Sequence, residues 1–186
     1  MKGASIILST HNRAQLLRRS LDSLLRQKTH YNYEIIVIDD GSTDNTQDVL
    51  KDYSKNRKVK IIRLDNPRGP AIARNKGMVR AKYPVAIVMD DDCIASEIWL
   101  DRMLRPFSDP KVGVSSHYYV KVGDEYIYGG TSTAYLKKAL EKTNYFDTKF
   151  TALPIKFAYR EDTDLVLRIA NLGYKVAYAR GANFQH

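Results

Sequence analysis

This sequence is short of the features that would make it anything but an ordinary folded domain. It has one cysteine, Cys93, which excludes an internal disulfide framework and suits a reducing interior. No stretch approaches the ~20 apolar residues that cross a bilayer, and the apolar run in the N-terminal MKGASIILST is too short for a signal peptide. Repeats, low-complexity tracts and linkers are missing as well. The expectation is a soluble, cytoplasmic protein. A G-x-G-x-x-G fingerprint is also absent. Behind the first apolar run stand Thr10-His11-Asn12-Arg13, which argues against a dinucleotide-dependent dehydrogenase. The same missing glycine-rich loop counts against a sugar-phosphate nucleotidyltransferase. Basic residues form no long run and no stripe interleaved with aromatics, so nucleic acid is not an expected partner.

Present instead are 186 residues, 44% hydrophobic and 27% charged, enough for one domain with a substantial core. A net charge of +9 favours anionic partners such as nucleotides, acidic glycans or a phospholipid surface. Peripheral association with the inner face of the membrane is therefore open; the oligomeric state is not legible.

Short apolar runs alternate with segments of helical period, the pattern of an α/β fold with a mixed, mostly parallel sheet flanked by helices. Ala4–Ser9 reads as the first strand, and Leu17, Leu21, Leu24 and Leu25 as the inner face of a helix. Glu34–Ile38 is the second strand; Asp44, with Gln47 three residues on, reads as the cap of a helix lined by Val49, Leu50 and Tyr53. Val59–Leu64 and Val85–Met89 are further strands, Pro70–Ala81 a helix, and Leu100, Met103, Leu104 and Phe107 line another. From Val112 the texture changes to a hairpin, Val112–Val122 and Glu125–Tyr128, turning at Gly123-Asp124. A helix over Ser132–Lys142, a loop over Thr151–Tyr159, a helix over Asp162–Leu172 and a strand over Tyr174–Ala179 follow. The layout is one domain, with a nucleotide-binding half (1–110) and a substrate-facing half (111–186).

Ligands of open α/β sheets sit outside the carboxyl ends of the strands, and here those ends are polar. They read Ser9-Thr10-His11-Asn12-Arg13, Asp39-Asp40-Gly41-Ser42-Thr43-Asp44, Asn66-Pro67-Arg68-Gly69 and Asp90-Asp91-Asp92. Burying three adjacent carboxylates is costly without a cation, and oxygen donors of this kind suit Mg2+ or Mn2+ bridging to a diphosphate. Taken alone, a solvated acidic turn with Asp92 or Ser96 capping the next helix serves equally well. Asp40 could accept an N–H from a pyrimidine base, or merely shape a turn. Gly69 would allow close backbone approach and Arg74 could pair with phosphate; a surface helix explains Arg74 too. Glu161 and Asp162 open a helix whose dipole favours acids, yet one could serve as a general base. Arg168 could pair with Asp164. His186 in isolation carries no signal.

Read together, STHNR, VIDDGSTDNT, NPRGPAIARNKG, VMDDDC, NYFDTKF and REDTDLVLRIANLGYKV resemble family 2 glycosyltransferases with the GT-A fold, and cover nearly the whole chain in order. The resemblance implies a nucleobase pocket at Thr10 and Asp40, with His11 and Arg13 close by, and Gly69 and Arg74 near the nucleotide. It matches Asp90 and Asp92 to the D-x-D element, Asp90 near the ribose and Asp92 on a Mn2+ or Mg2+ ion, with Asp91 in the variable middle position. Asp162 matches the general base, Glu161 being its alternative, and His186 a histidine that closes the metal shell. The implied reaction is inverting transfer from a nucleotide-diphosphate sugar, UDP first, to a glycan or lipid-linked acceptor. The alternatives are a non-catalytic nucleotide- or sugar-binding module and a sugar-phosphate nucleotidyltransferase. The chain departs from the family in three places. Asn144-Tyr145 stand where two glycines often precede Phe-Asp, the Q-x-x-R-W element of processive synthases is absent, and relatives usually continue past the last motif. The second implies addition of single sugars, and the third a C-terminally truncated chain.

Overall fold

A computed structural model describes residues 3–117, 119–122, 125–128, 131–149 and 161–186. In chain order the elements are β1 (Gly3–Thr10), α1 (Ala14–Leu25), β2 (Asn32–Asp39), α2 (Thr46–Tyr53), β3 (Val59–Arg63), α3 (Pro70–Val79) and β4 (Val85–Asp90). There follow β5 (Ile94–Ala95), α4 (Trp99–Leu104), β6 (Val112–Ser116), β7 (Tyr119–Val122), β8 (Glu125–Tyr128), β9 (Ser132–Leu136), α5 (Lys137–Thr143), α6 (Glu161–Asn171), β10 (Lys175–Tyr178) and β11 (Phe184–Gln185). A seven-stranded sheet has the order β10-β6-β9-β4-β1-β2-β3. Only β9 runs against its neighbours.

The central strands are apolar on both faces because helices cover both. Ile6 and Leu8 of β1 point with Ile35, Val37, Ile87 and Met89 towards α1, α2 and α4. Ile7, Ala86 and Val88 point the other way, towards α3, α5 and α6. Full burial of a leucine side chain stabilises by about 1.5–3 kcal/mol. Leu17, Leu21 and Leu24 are all fully buried, which holds α1 in place although its outer face is charged.

Three expectations need correction, and one strand pairing has no counterpart in the sequence reading. The segment Ser132–Lys142 is not one helix: Ser132–Leu136 is strand β9, and only Lys137–Thr143 is helical. Ser132 to Tyr135 are buried between β4 and β6, and pairing on both sides overrides a weak local preference. The long strand Val112–Val122 is broken after Ser116, so β6 stays in the main sheet while β7 pairs with β8. Asp44 does not cap α2 as its flanking residue, which is Asn45. Its carboxylate accepts the N–H of Thr46 at 3.0 Å and of Ala14 at 3.3 Å, tying the starts of α2 and α1 together. Burial opposes the Asp44 charge, but these hydrogen bonds outweigh it and hold the carboxyl below its ordinary value. Lastly, β5 and β11 escaped the pattern reading; they pair antiparallel, Phe184 opposite Ala95, and return the chain end to the acidic run. Gly123-Asp124 and the loop Thr151–Tyr159 lie outside the described residues.

Helix α3 lies close on β1 because residue 77 is glycine: a Cβ there would stand 2.6 Å from Cγ2 of the fully buried Ile7. Gly77→Ala should therefore cost about 1–3 kcal/mol by overpacking, seen as a lower urea midpoint. An unchanged midpoint would show that α3 has room to move.

Candidate active site

The parallel strands deliver their polar ends to one edge. Thr10 closes β1 beside Asp39 of β2, and Asp90 closes β4 beside Ser9. Reversed β9 brings its beginning to the same edge, where the Thr131 carbonyl accepts the Asp90 N–H at 3.1 Å. A cavity of about 620 Å³ opens there, walled by Thr10, His11, Arg13, Asp40, Arg74, Asp90, Asp91, Asp92 and His186. That volume suits a small-molecule ligand. Gly69 joins it through Asp40, and Glu161 through Arg74.

One wall is a pair of interlocked loops. Asn12 adopts φ 54, a left-handed conformation that asparagine tolerates. Its Oδ1 accepts the N–H of Thr43 at 2.7 Å and of Asp44 at 3.2 Å, while its own N–H donates to Ser42 Oγ at 3.0 Å. His11 Nδ1 lies 2.8 Å from the Asp40 carbonyl. A carbonyl only accepts, so Nδ1 carries the proton, and Nε2 is left to accept from Asn12 Nδ2 at 3.2 Å. Both Asp40 oxygens are engaged, accepting the N–H of Arg68 and of Gly69 at 2.8 Å each, with a lone pair left on each oxygen. Gly41 (φ 68) makes this possible, since a Cβ there would come within 2.8 Å of the backbone of Asn66 and Pro67. Asp40 thus anchors the 66–69 loop.

The opposite wall is acidic. Capping does not explain Asp90-Asp91-Asp92, because α4 starts behind Ile98 with no side-chain cap. Arg13 Nη1 donates to Asp91 Oδ1 at 3.2 Å and to Asp92 Oδ2 at 2.8 Å. Burial raises the Asp91 carboxyl above its ordinary value despite the charge of Arg13, and its Oδ2 is buried with no hydrogen-bond partner. Asp92 Oδ1 faces His186 Nε2 at 3.4 Å. Oxygen of Asp92, sulfur of Cys93 and nitrogen of His186 lie within 4.8 Å of one another. Burial, then Asp90 and Asp92, push the Cys93 thiol up to about 12. The carboxylate oxygen of Asp92 and the imidazole nitrogen of His186 are donors that fit Mn2+ or Mg2+.

Arg74 borders the cavity with both of its terminal nitrogens already engaged. Its Nη2 donates to Asp90 Oδ1 at 2.7 Å and its Nη1 to Glu161 Oε1 at 3.1 Å. Desolvation works against its charge, yet Asp162, Asp90 and Glu161 together hold its pKa above the ordinary arginine value. Glu161 is raised, by burial first and by Asp162 and Asp90, with Arg74 opposing. Asp162, half-buried, follows it on α6. The expected partner of Arg168 is correct: its Nε donates to Asp164 at 2.8 Å.

Two residues were missed. Asn12 stood in plain view beside His11, and its left-handed turn is a known asparagine habit. Asn75 gave no signal. Its amide exchanges two hydrogen bonds with the backbone of Phe146, donating at 2.9 Å and accepting at 3.0 Å. Asn144 and Tyr145 just before it have φ 57 and 63, left-handed backbone that non-glycine residues rarely adopt. Arg168 Nη2 holds the Tyr145 carbonyl at 2.8 Å in that turn.

A family model described as glycosyl transferase family 2 matches residues 5–165. The chain is 35% identical over 104 residues to a chondroitin synthase of Escherichia coli, covering 55% of this chain and 15% of the synthase. It is 32% identical over 114 residues to a poly-beta-1,6-N-acetyl-D-glucosamine synthase of Staphylococcus epidermidis, covering 61% of this chain and 27% of that one. These matches thus span less than a third of the curated relatives. Among solved structures, the mannosyltransferase PcManGT of Pyrobaculum calidifontis, in complex with GDP-Man and Mn2+, superposes with a TM-score of 0.79 at 23% identity, over 94% of this chain and 54% of that one. S. aureus TarS 1-349 in complex with UDP-GlcNAc gives 0.77 at 19%, over 99% and 58%. At these identities the likeness concerns the fold, which is GT-A.

The raised Glu161 carboxyl predicts a pH effect on stability. A group with a raised folded pKa contributes stability that is complete below its ordinary value and is lost as pH climbs through the folded one. Glu161→Gln should therefore gain on the wild type as pH rises from about 4.5, and the difference should level off above the folded pKa. Urea melts from pH 4 to 8 without metal measure this; a gap that narrows with rising pH would contradict it.

Proposed function

The chain belongs to glycosyl transferase family 2, and on that premise we propose that it transfers a sugar from a nucleoside-diphosphate donor to an acceptor hydroxyl with inversion at the anomeric carbon. The observation that carries this reading is the guanidinium of Arg74, bound at once to Asp90 on the donor edge and to Glu161 at the head of α6. It sets the acid-bearing helix against the cavity.

In this reading the nucleobase lies by Thr10 and Asp40, whose remaining lone pairs can accept the N3–H of uracil; UDP is the first donor to try. His11 and the Gly69 backbone border the nucleotide, and Asp90 faces the ribose. Asp92 and His186 would hold a divalent cation, Mn2+ suiting the imidazole nitrogen better than Mg2+. When bound, such an ion neutralises charge on the departing diphosphate. Asp91 lends the acidic run a further buried charge. Arg74, expected to pair with phosphate, acts instead by fixing the positions of Asp90 and Glu161.

The acceptor oxygen forms a bond to the anomeric carbon as the bond from that carbon to the diphosphate oxygen breaks. The electron pair leaves with the diphosphate, and the acceptor proton passes to a carboxylate. We assign that carboxylate to Asp162. Glu161 is buried and occupied by Arg74, which suits a positioning role. Single-sugar addition to a glycan or lipid-linked acceptor remains the working assignment. No helix among the described residues is long and apolar enough to cross a membrane.

A base contributes typically ~10²–10⁴ in rate. Asp162→Asn should slow release of UDP from a UDP-sugar, with water as acceptor, by about that factor while calorimetric affinity for UDP and Mn2+ stays within about twofold. Undiminished release would remove Asp162 from the role, and no release by the wild type with any nucleotide sugar would favour a binding module.

A further inference from the structure

We propose that Arg13 couples cation binding to donor binding, occupying the acidic pair until a diphosphate draws it away. This rests on the reading above and adds a role that the reading does not contain. Arg13 stands just before α1, on a backbone pinned by the Asn12 turn. Its side chain is 49% exposed, whereas those of Asp91 and Asp92 are 5% and 21% exposed, so solvent and ligands reach the guanidinium more readily than the acids.

A single nitrogen, Nη1, makes both bonds to the carboxylates. The N–H groups of Nε and Nη2 therefore remain as donors, and a guanidinium is well matched to phosphate oxygens. The Asp92 carboxylate is divided between two claimants, Oδ2 to Arg13 and Oδ1 to His186. A divalent ion seated between Asp92 and His186 would meet the guanidinium charge across one carboxylate. The two cations therefore compete while no diphosphate is present. A diphosphate in the same cavity supplies Arg13 with new acceptors and removes the competition. By linkage, each ligand then strengthens the other by the same factor.

The competing contact is partly exposed, so its effect is modest, roughly fivefold in affinity. The test uses Arg13→Gln and Arg13→Met, either of which suffices if folded, as shown by thermal melting. Free Mn2+ is counted by electron paramagnetic resonance for metal alone, and UDP, with GDP in parallel, is titrated calorimetrically at zero and saturating Mn2+. The proposal expects opposite changes: Mn2+ alone binds roughly fivefold tighter than to wild type, while the nucleotide with Mn2+ binds more weakly. A merely structural role for Arg13 would weaken both. Unchanged or weaker binding of Mn2+ alone in the variants overturns the proposal. If the wild type itself shows no metal dependence of nucleotide binding, the metal assignment fails first, and this one with it.

Discussion

Everything at the site follows from gathering carboxylates at one sheet edge and keeping them there. Asp90, Asp91, Asp92 and Glu161 come from two chain segments and are all linked to arginines. Two like charges 4 Å apart repel by roughly 4 kcal/mol at the effective dielectric near a protein surface, so such a group disperses unless cations are interleaved. Arg13 answers for Asp91 and Asp92, and Arg74 for Asp90 and Glu161. The compensation is incomplete. Asp91, held above its ordinary value first by burial, keeps one buried oxygen with no hydrogen-bond partner.

The same arginines do architectural work. Arg74 and Asn75 are consecutive on α3: the first reaches Asp90 and Glu161, the second clamps the backbone of Phe146. One helix turn therefore registers the donor edge, the start of α6 and the segment before it. Gly77, in the next turn, lets that helix settle on Ile7. A pairing of two-residue strands, β5 with β11, does the corresponding job for His186. Side chains of the candidate site that lie far apart in sequence are thus set by a few short contacts rather than by long loops.

The sheet and its faces were legible because the apolar runs of β1, β2 and β4 are long, and because α1 is regularly amphipathic. The polar strand ends pointed to the cavity for the same reason: parallel strands deliver their ends to one edge. Less legible was whatever depended on partners far along the chain. STAYL reads locally as the start of a helix running to Lys142, and only the slot between β4 and β6 makes it strand. The fate of Arg74 turned on Glu161, 87 residues away, so no local pattern could show that its guanidinium is already spoken for. His186 has no local signal; the resemblance offers it a role, and two residue pairs of ladder bring it beside Asp92. Asn144 and Tyr145 stand where the resemblance leads to glycines, and both adopt the left-handed backbone that glycine favours.

The central claim is that this edge grips a cation which in turn grips a diphosphate. Crystals grown with Mn2+ and a nucleoside diphosphate, measured for the anomalous signal of manganese, test it directly. The account predicts a peak in contact with Asp92 and His186 and a diphosphate beside it in the cavity. A cavity with no peak, or nucleotide bound elsewhere with the Asp92–His186 pair unchanged, would contradict it.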